Sequence, residues 1–262
     1  MRATPTSVGQ DADARRWLRG FGRRRAGKRT LICFPHAGGA ASFFRPWRDL
    51  LAPDVDVLAV QYPGHEDRLA EPLVESMNDL VNAIVKAILP ICREPVALFG
   101  HSMGAIAAYE VAMQLEARGL PVRALLVSAH PAPHRQRLSS PPQSDDGYAY
   151  EIARLSGDAL QVPDREVFRD LFLPALRNDY QLVCSYRHRR REKLQSPIVA
   201  LLSDDDTEAN SDEMRAWREM TAGAFDLERF TGGHFYLVGQ VERVARIMDR
   251  CFDLPSTPFI QS

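Results

Sequence analysis

A chain of 262 residues with 45% apolar content can bury a substantial core, and the length suits one large α/β domain or two small ones; a single domain carrying an insertion is the reading adopted. Lys+Arg 33 against Asp+Glu 34 leaves a net charge of -1, so the overall balance supports neither a nucleic-acid partner nor a strongly acidic one. No stretch reaches the ~18 to 20 apolar residues of a membrane span and the start lacks the apolar core of a secretion signal, so the expectation is a soluble cytoplasmic protein with no membrane partner.

Residues 1–14 are small and polar and read as a disordered tail, with the domain proper over 15–262. Arginines and lysines from Arg15 to Arg29 make the start basic. Strand-length apolar runs follow at Leu31–Phe34, Val55–Gln61, Val96–Gly100, Ala124–Ala129, Ile198–Ser203 and Phe225–Phe230. Helical spacing or composition lies between most of them, at Phe44–Leu51, Met77–Leu89, Ser102–Arg118, Ser211–Met220 and Val241–Cys251. Such alternation predicts a mostly parallel sheet with helices on both faces, which is why the strands are continuously apolar. Between His130 and Ser196 the alternation breaks: a proline-rich opening leads into two or three amphipathic helical segments carrying Tyr148, Ile152, Leu155, Phe168 and Leu176. An all-helical insertion at about 131–195, on the side where strand ends emerge, reads as a lid over a substrate chamber. Cys33, Cys92, Cys184 and Cys251 are scattered without C-x-x-C spacing and read as free thiols in a reducing compartment.

Gly100-His101-Ser102-Met103-Gly104 sits where a strand gives way to a helix. A G-x-S-x-G sequence in that context lets a serine stand exposed on a sharp turn, its flanking glycines allowing backbone and helix to approach closely. A serine hydroxyl is a weak nucleophile and needs a base, with a third group to orient that base. In α/β hydrolases the chain order is serine, acid, histidine. Of the histidines after Ser102, His130, His134 and His188 lie in or beside the insertion, whereas His234 in Gly232-Gly233-His234 follows a strand, so His234 is expected as general base. The acid should lie on the loop after Ile198–Leu202, where Asp204, Asp205 and Asp206 stand side by side; composition does not choose among them. Oxyanion donors are expected from the N–H of Met103 and from Pro35-His36-Ala37-Gly38-Gly39, with Ala37 ahead of Gly38. His, Asp and Glu do not cluster at ligand spacing, so no metal and no cofactor are expected.

With PHAGG at Pro35–Gly39, QYPG and E-D-R-L within Gln61–Leu69, GHSMGA at Gly100–Ala105, LPALRND at Leu173–Asp179 and GGHFYL at Gly232–Leu237, the chain resembles the free-standing type II thioesterases of polyketide and nonribosomal peptide synthesis, from about Trp17 to about Cys251. The resemblance implies an α/β-hydrolase fold with a helical lid and hydrolysis of aberrant or stalled acyl groups from the phosphopantetheine arm of acyl or peptidyl carrier proteins. It places Ser102, His234, Met103 and Ala37 on the family's nucleophile, base and oxyanion positions. Its acid lies in a G-x-x-D-P turn, which points to Asp206, although this chain has Ser203 for the glycine and Thr207 for the proline, and Asp204 stays open. His65 stands where many members carry arginine, and no catalytic role passes to it. No Asp-Ser pair, the context a pantetheine-bearing serine needs, occurs in the chain, so the carrier is expected in trans. Arg187, Arg189, Arg190 and Arg191 are candidate docking residues for an acidic carrier, or else a solvated basic turn. An ordinary carboxylesterase of the same fold and a catalytically silent binding protein are the competing readings.

Overall fold

The computed structural model describes residues 14–21, 29–92, 94–137, 139–157, 159 and 164–254. The expected tail therefore lies, but for its last residue, outside the described residues, as do Arg23, Arg24, Arg25 and Lys28 of the basic start.

Among the described residues seven strands form one sheet: β1 Leu18–Gly20, β2 Arg29–Phe34, β3 Val55–Val60, β4 Val96–His101, β5 Val122–Ser128, β6 Ile198–Ser203 and β7 Phe225–Phe230, in the order β1-β3-β2-β4-β5-β6-β7. All neighbours run parallel except β1, which lies antiparallel on the β3 edge. The longer helices are α1 Met77–Ile88, α2 Met103–Glu116, α3 Asp145–Ser156, α4 Leu173–Ser185 and α5 Val241–Cys251. Successive strand side chains point to opposite faces. Ile32, Phe34 and Leu98 thus join one apolar cluster with α1 and α2, while Leu31, Cys33, Ala97 and Phe99 join a second with α5 and the 3-10 helix Ala41–Asp49. Both faces are covered, so the middle positions of the central strands are apolar in succession.

Ser76 caps α1 by accepting the N–H of Asp79 at 3.1 Å, and the helix turns Leu80, Val81, Ile84 and Ile88 onto the sheet. Burying side chains of that size contributes on the order of 1.5–3 kcal/mol each. In α2 the small side chains Ala105, Ala107, Ala108 and Ala112 let the helix lie close against the strands, and only Glu110 and Glu116 of its residues escape burial. Pro46 inside Ala41–Asp49 has no N–H to donate, in keeping with a 3-10 helix where a regular one is predicted.

Between Ser128 and Ile198 no strand forms among the described residues; Leu194 makes only an isolated bridge to Thr221. The segment instead holds α3, the helical turn Arg165–Val167, a wide π turn Phe168–Phe172 and α4. The wide turn precedes Pro174, whose missing N–H cannot bond the carbonyl four residues back. Tyr148, Phe168, Leu173 and Leu176 close a small cluster of their own here.

Candidate active site

Ser102 follows the last residue of β4 and precedes the first of α2, with φ 53° and ψ -120°. The turn is tight enough that a Cβ on Gly100 would fall 2.1 Å from the Gly104 carbonyl oxygen, and one on Gly104 2.1 Å from that of Phe34. Glycine at both positions is therefore a packing requirement of the elbow. The Ser102 N–H donates to the Ser128 carbonyl at 2.9 Å, tying the elbow to β5.

Carboxylate and imidazole arrive from the ends of β6 and β7, beyond β5. Asp206 follows β6, and its carboxylate oxygens lie 3.0 and 3.1 Å from Nδ1 of His234, in the loop after β7. Neither side chain is more than 2% exposed. A carboxylate can only accept, so Nδ1 carries the hydrogen and Nε2 is left as the lone-pair nitrogen. The neighbouring aspartates are used elsewhere: Asp204 pairs with Arg229 at 2.5 Å, and Asp205 accepts the Gly232 N–H at 2.9 Å. Ser203 donates its hydroxyl to the Gly232 carbonyl, so two residues of the acidic loop grip the glycine turn that carries His234. Thr207 accepts from Arg154 on α3 at 2.6 Å. Both departures from the G-x-x-D-P pattern thus make contacts that glycine and proline could not.

Ser102, Met103, Ala37 and His234 line one cavity of about 370 Å³. Met103 is the first residue of α2, where an N–H has no intrahelical acceptor and the helix dipole favours negative charge. Gly38 faces a neighbouring cavity of about 400 Å³, and its N–H is held by Asp179 at 2.7 Å. Of the two loop residues, then, only Ala37 borders the space in front of Ser102. The far wall comes from the helical segment through Ile152, Leu155, Tyr180 and Val183.

Three further histidines surround these groups. His36 is held by burial near pKa 3, His130 by burial near 4, and His101 is pushed well below the usual range by burial, the neighbouring His234 ring lowering each further. All three are neutral at physiological pH. The His36 ring meets Phe235 edge-on and the His101 ring meets it at a tilt, with His101 and His234 centred 5.0 Å apart. His101 also ends a buried chain in which Tyr236 Oη lies 2.6 Å from Ser128 Oγ, itself 2.9 Å from His101 Nδ1. Sequence reasoning missed this ring; its signal was the recurrence of histidine one residue before Ser102, one before Ala37 and one after Ala129.

The basic run splits. Arg187 donates to the nearby carbonyls of Cys184 and Tyr186 at 2.7 Å, whereas Arg190 pairs with Glu110 on α2 at 2.8 Å, so both are engaged within the fold. Among the described residues no cluster of His, Cys, Asp and Glu could hold a metal, and no helix is long and apolar enough to cross a membrane.

The thioesterase domain model matches residues 29–252. The thioesterase PikA5 of Streptomyces venezuelae is 43% identical over 234 residues, 88% of this chain and 83% of that protein. The structure of the type II thioesterase BorB from the borrelidin biosynthetic cluster superposes with a TM-score of 0.86 at 44% identity, covering 90% of this chain and 97% of that one. Phenyloxazoline synthase MbtB of Mycobacterium tuberculosis is 36% identical over 222 residues, 84% of this chain but 16% of that protein. The mostly parallel sheet, the helices on both its faces and these neighbours together make the fold an α/β hydrolase.

Proposed function

Because the chain belongs to the thioesterase family, with type II thioesterases of assembly-line clusters among its relatives, we propose that it clears aberrant or stalled acyl groups from the phosphopantetheine arm of carrier proteins through an acyl-enzyme on Ser102. The observation that carries this reading is the buried Asp206–His234 contact opening onto the cavity that also holds Ser102.

In the first half-reaction Ser102 Oγ attacks the thioester carbonyl while Nε2 of His234 takes its proton. Asp206 holds the imidazole in the tautomer that can do this and stabilises the imidazolium. Charge gathers on the carbonyl oxygen, where the N–H groups of Met103 and Ala37 receive it. Collapse breaks the C–S bond, the pantetheine sulfur leaves with the proton from His234, and the acyl group stays on Ser102. Water then repeats the sequence with His234 as base, releasing the acid and the free serine. The helical segment acts as a lid, and the carrier is a separate acidic protein met in the cytoplasm. An apolar wall such as Ile152, Leu155 and Val183 discriminates by only ~1–3 kcal/mol per methylene, which suits an enzyme that must accept many stalled acyl groups.

The test is a panel of acyl-carrier, acyl-pantetheine and matched oxygen-ester substrates, with mass spectrometry of the quenched enzyme. The reading expects faster turnover of the thioesters and an acyl adduct on the Ser102 peptide. Preference for the oxygen esters would instead make the chain a carboxylesterase of the same fold, and turnover without an adduct would remove the covalent step.

A further inference from the structure

Asp179 is on α4, outside the loops that carry the reacting groups, yet its carboxylate is 3% exposed and takes two donors. One is the Gly38 N–H at 2.7 Å; the other is Nε2 of His65 at 3.0 Å. The second ring nitrogen, Nδ1, lies 3.0 Å from the Pro63 carbonyl oxygen. Carboxylate and carbonyl oxygens can only accept, so both contacts are hydrogen bonds only when both ring nitrogens carry hydrogen. His65 is thus built to be an imidazolium. The groups facing it agree with that state: Asp179 from α4, Glu66 beside it in its own loop, the Tyr62 ring 5.8 Å away with its hydroxyl given to Pro35, and His36, neutral, from the loop after β2. Burial works against the charge, but Asp179 and the Pro63 carbonyl outweigh it, and the His65 pKa is raised.

The same face of α4 reaches Gly38 a second time. Leu176, one turn before Asp179, lies so close that a Cβ on Gly38 would fall 2.8 Å from its Cδ1, and Gly38 has φ 74°. Since Asp179 holds the N–H of Gly38, it ties down the peptide unit joining Ala37 to Gly38, which adjoins the unit that carries the Ala37 N–H.

We propose that Asp179 and protonated His65 are a positioning pair that sets the Ala37 N–H toward the developing oxyanion and so couples hydrolysis to the seating of α4. The proposal rests on the reading of Ala37 as an oxyanion donor; neither member of the pair touches substrate. Neutralising the carboxylate leaves Gly38 with a weaker and differently shaped acceptor. Deprotonating His65 removes one of its two donors and leaves Asp179 a buried, half-partnered anion, so the pair loosens as pH rises through the raised His65 pKa.

The experiment measures kcat and KM for a small acyl-pantetheine thioester from about pH 6 to about pH 10, corrected for uncatalysed hydrolysis, in the wild type, Asp179→Asn and His65→Arg. Asp179→Asn should lower kcat by about 10- to 100-fold with KM within about twofold, less than the ~10²–10³ lost when an oxyanion donor is removed outright. The wild type should lose kcat on the alkaline side, and His65→Arg, whose guanidinium keeps its charge, should hold the same kcat ratio across that range. Stoichiometric labelling of Ser102 by a fluorophosphonate is followed in parallel. Wild-type enzyme that resists the label would overturn the acyl-enzyme reading itself. Labelled enzyme in which Asp179→Asn keeps full kcat, or in which His65→Arg shows the wild-type alkaline fall, overturns the positioning pair.

Discussion

The sheet and the helical segment between β5 and β6 are built to different standards. In β4, Val96 to Phe99 are at most 1% exposed, and apolar clusters fill both faces of the sheet around them. Among the described residues the helical segment's own apolar cluster holds only four buried side chains, while Tyr150 is 69% exposed, Leu171 45% and Phe172 44%. Ser102, Asp206 and His234 all stand at carboxyl ends of sheet strands, and the wall opposite them belongs to the weaker region. Reacting groups on a stiff frame keep their geometry through turnover; a wall on a small core can shift to fit what enters. The difference teaches where a mutation should be felt as lost chemistry and where as altered fit.

The sharpest break is on the stiff side. Ser102→Ala should fold normally and lose nearly the whole enzymatic rate, because nucleophile, base and acid act as a unit; steady-state hydrolysis of an acyl-pantetheine thioester measures it, and near-normal turnover would remove Ser102 from the chemistry. Next comes Asp206→Asn, expected to lower kcat by roughly 10³–10⁴ as the imidazole loses its orienting carboxylate. Asp204→Asn and Asp205→Asn, whose carboxylates serve Arg229 and the Gly232 N–H, should each cost far less. If Asp204→Asn proves the crippling change, the acid has been assigned to the wrong residue. The smallest effect concerns the wall alone. Amides of α3 should exchange with solvent at least about tenfold faster than those of β4 under native conditions, read by hydrogen exchange and mass spectrometry. Equal protection would erase the contrast between the two regions.

Legibility in the sequence follows the same divide. Strands covered on both faces announce themselves as uninterrupted apolar runs, and β6 Ile198–Ser203 is found at the predicted residues. Edge strand β7 Phe225–Phe230, interrupted by Asp226, Glu228 and Arg229, also falls where predicted, and the other predicted strands lie within a few residues. Leu18–Gly20 could not be read that way: three residues among arginines become a strand only because Leu18 meets Val60 on an open edge. The predicted helix over Ser211–Met220 forms, but changes from α to 3-10 at Ala216. Elbow and glycine loop are local devices, and their residues were legible. Which aspartate meets His234 was legible only through the family turn that points to Asp206, because three identical side chains in a row differ only in direction, and direction is set by Arg229 and Gly232 a strand away. The Asp179–His65–Gly38 contact was beyond reach for a plainer reason: its members are 114 and 141 residues apart. The apolar residues of the helical segment divide three ways, into cavity wall, private core and exposed surface, and periodicity alone treats them as one.

Ser102 holds φ at 53°, a left-handed conformation that an L side chain adopts at a cost of about 1–3 kcal/mol. Glycine would carry none of that cost, so Ser102→Gly should melt above Ser102→Ala, by about 2–4 °C for each kcal/mol relieved in a chain of this size. With Ser102 as the proposed nucleophile, selection for heat resistance and selection for turnover pull on one torsion in opposite directions. A library screened only for well-folded protein would enrich inactive sequences at position 102, whereas one screened for activity must accept the strain and recover it elsewhere in the molecule.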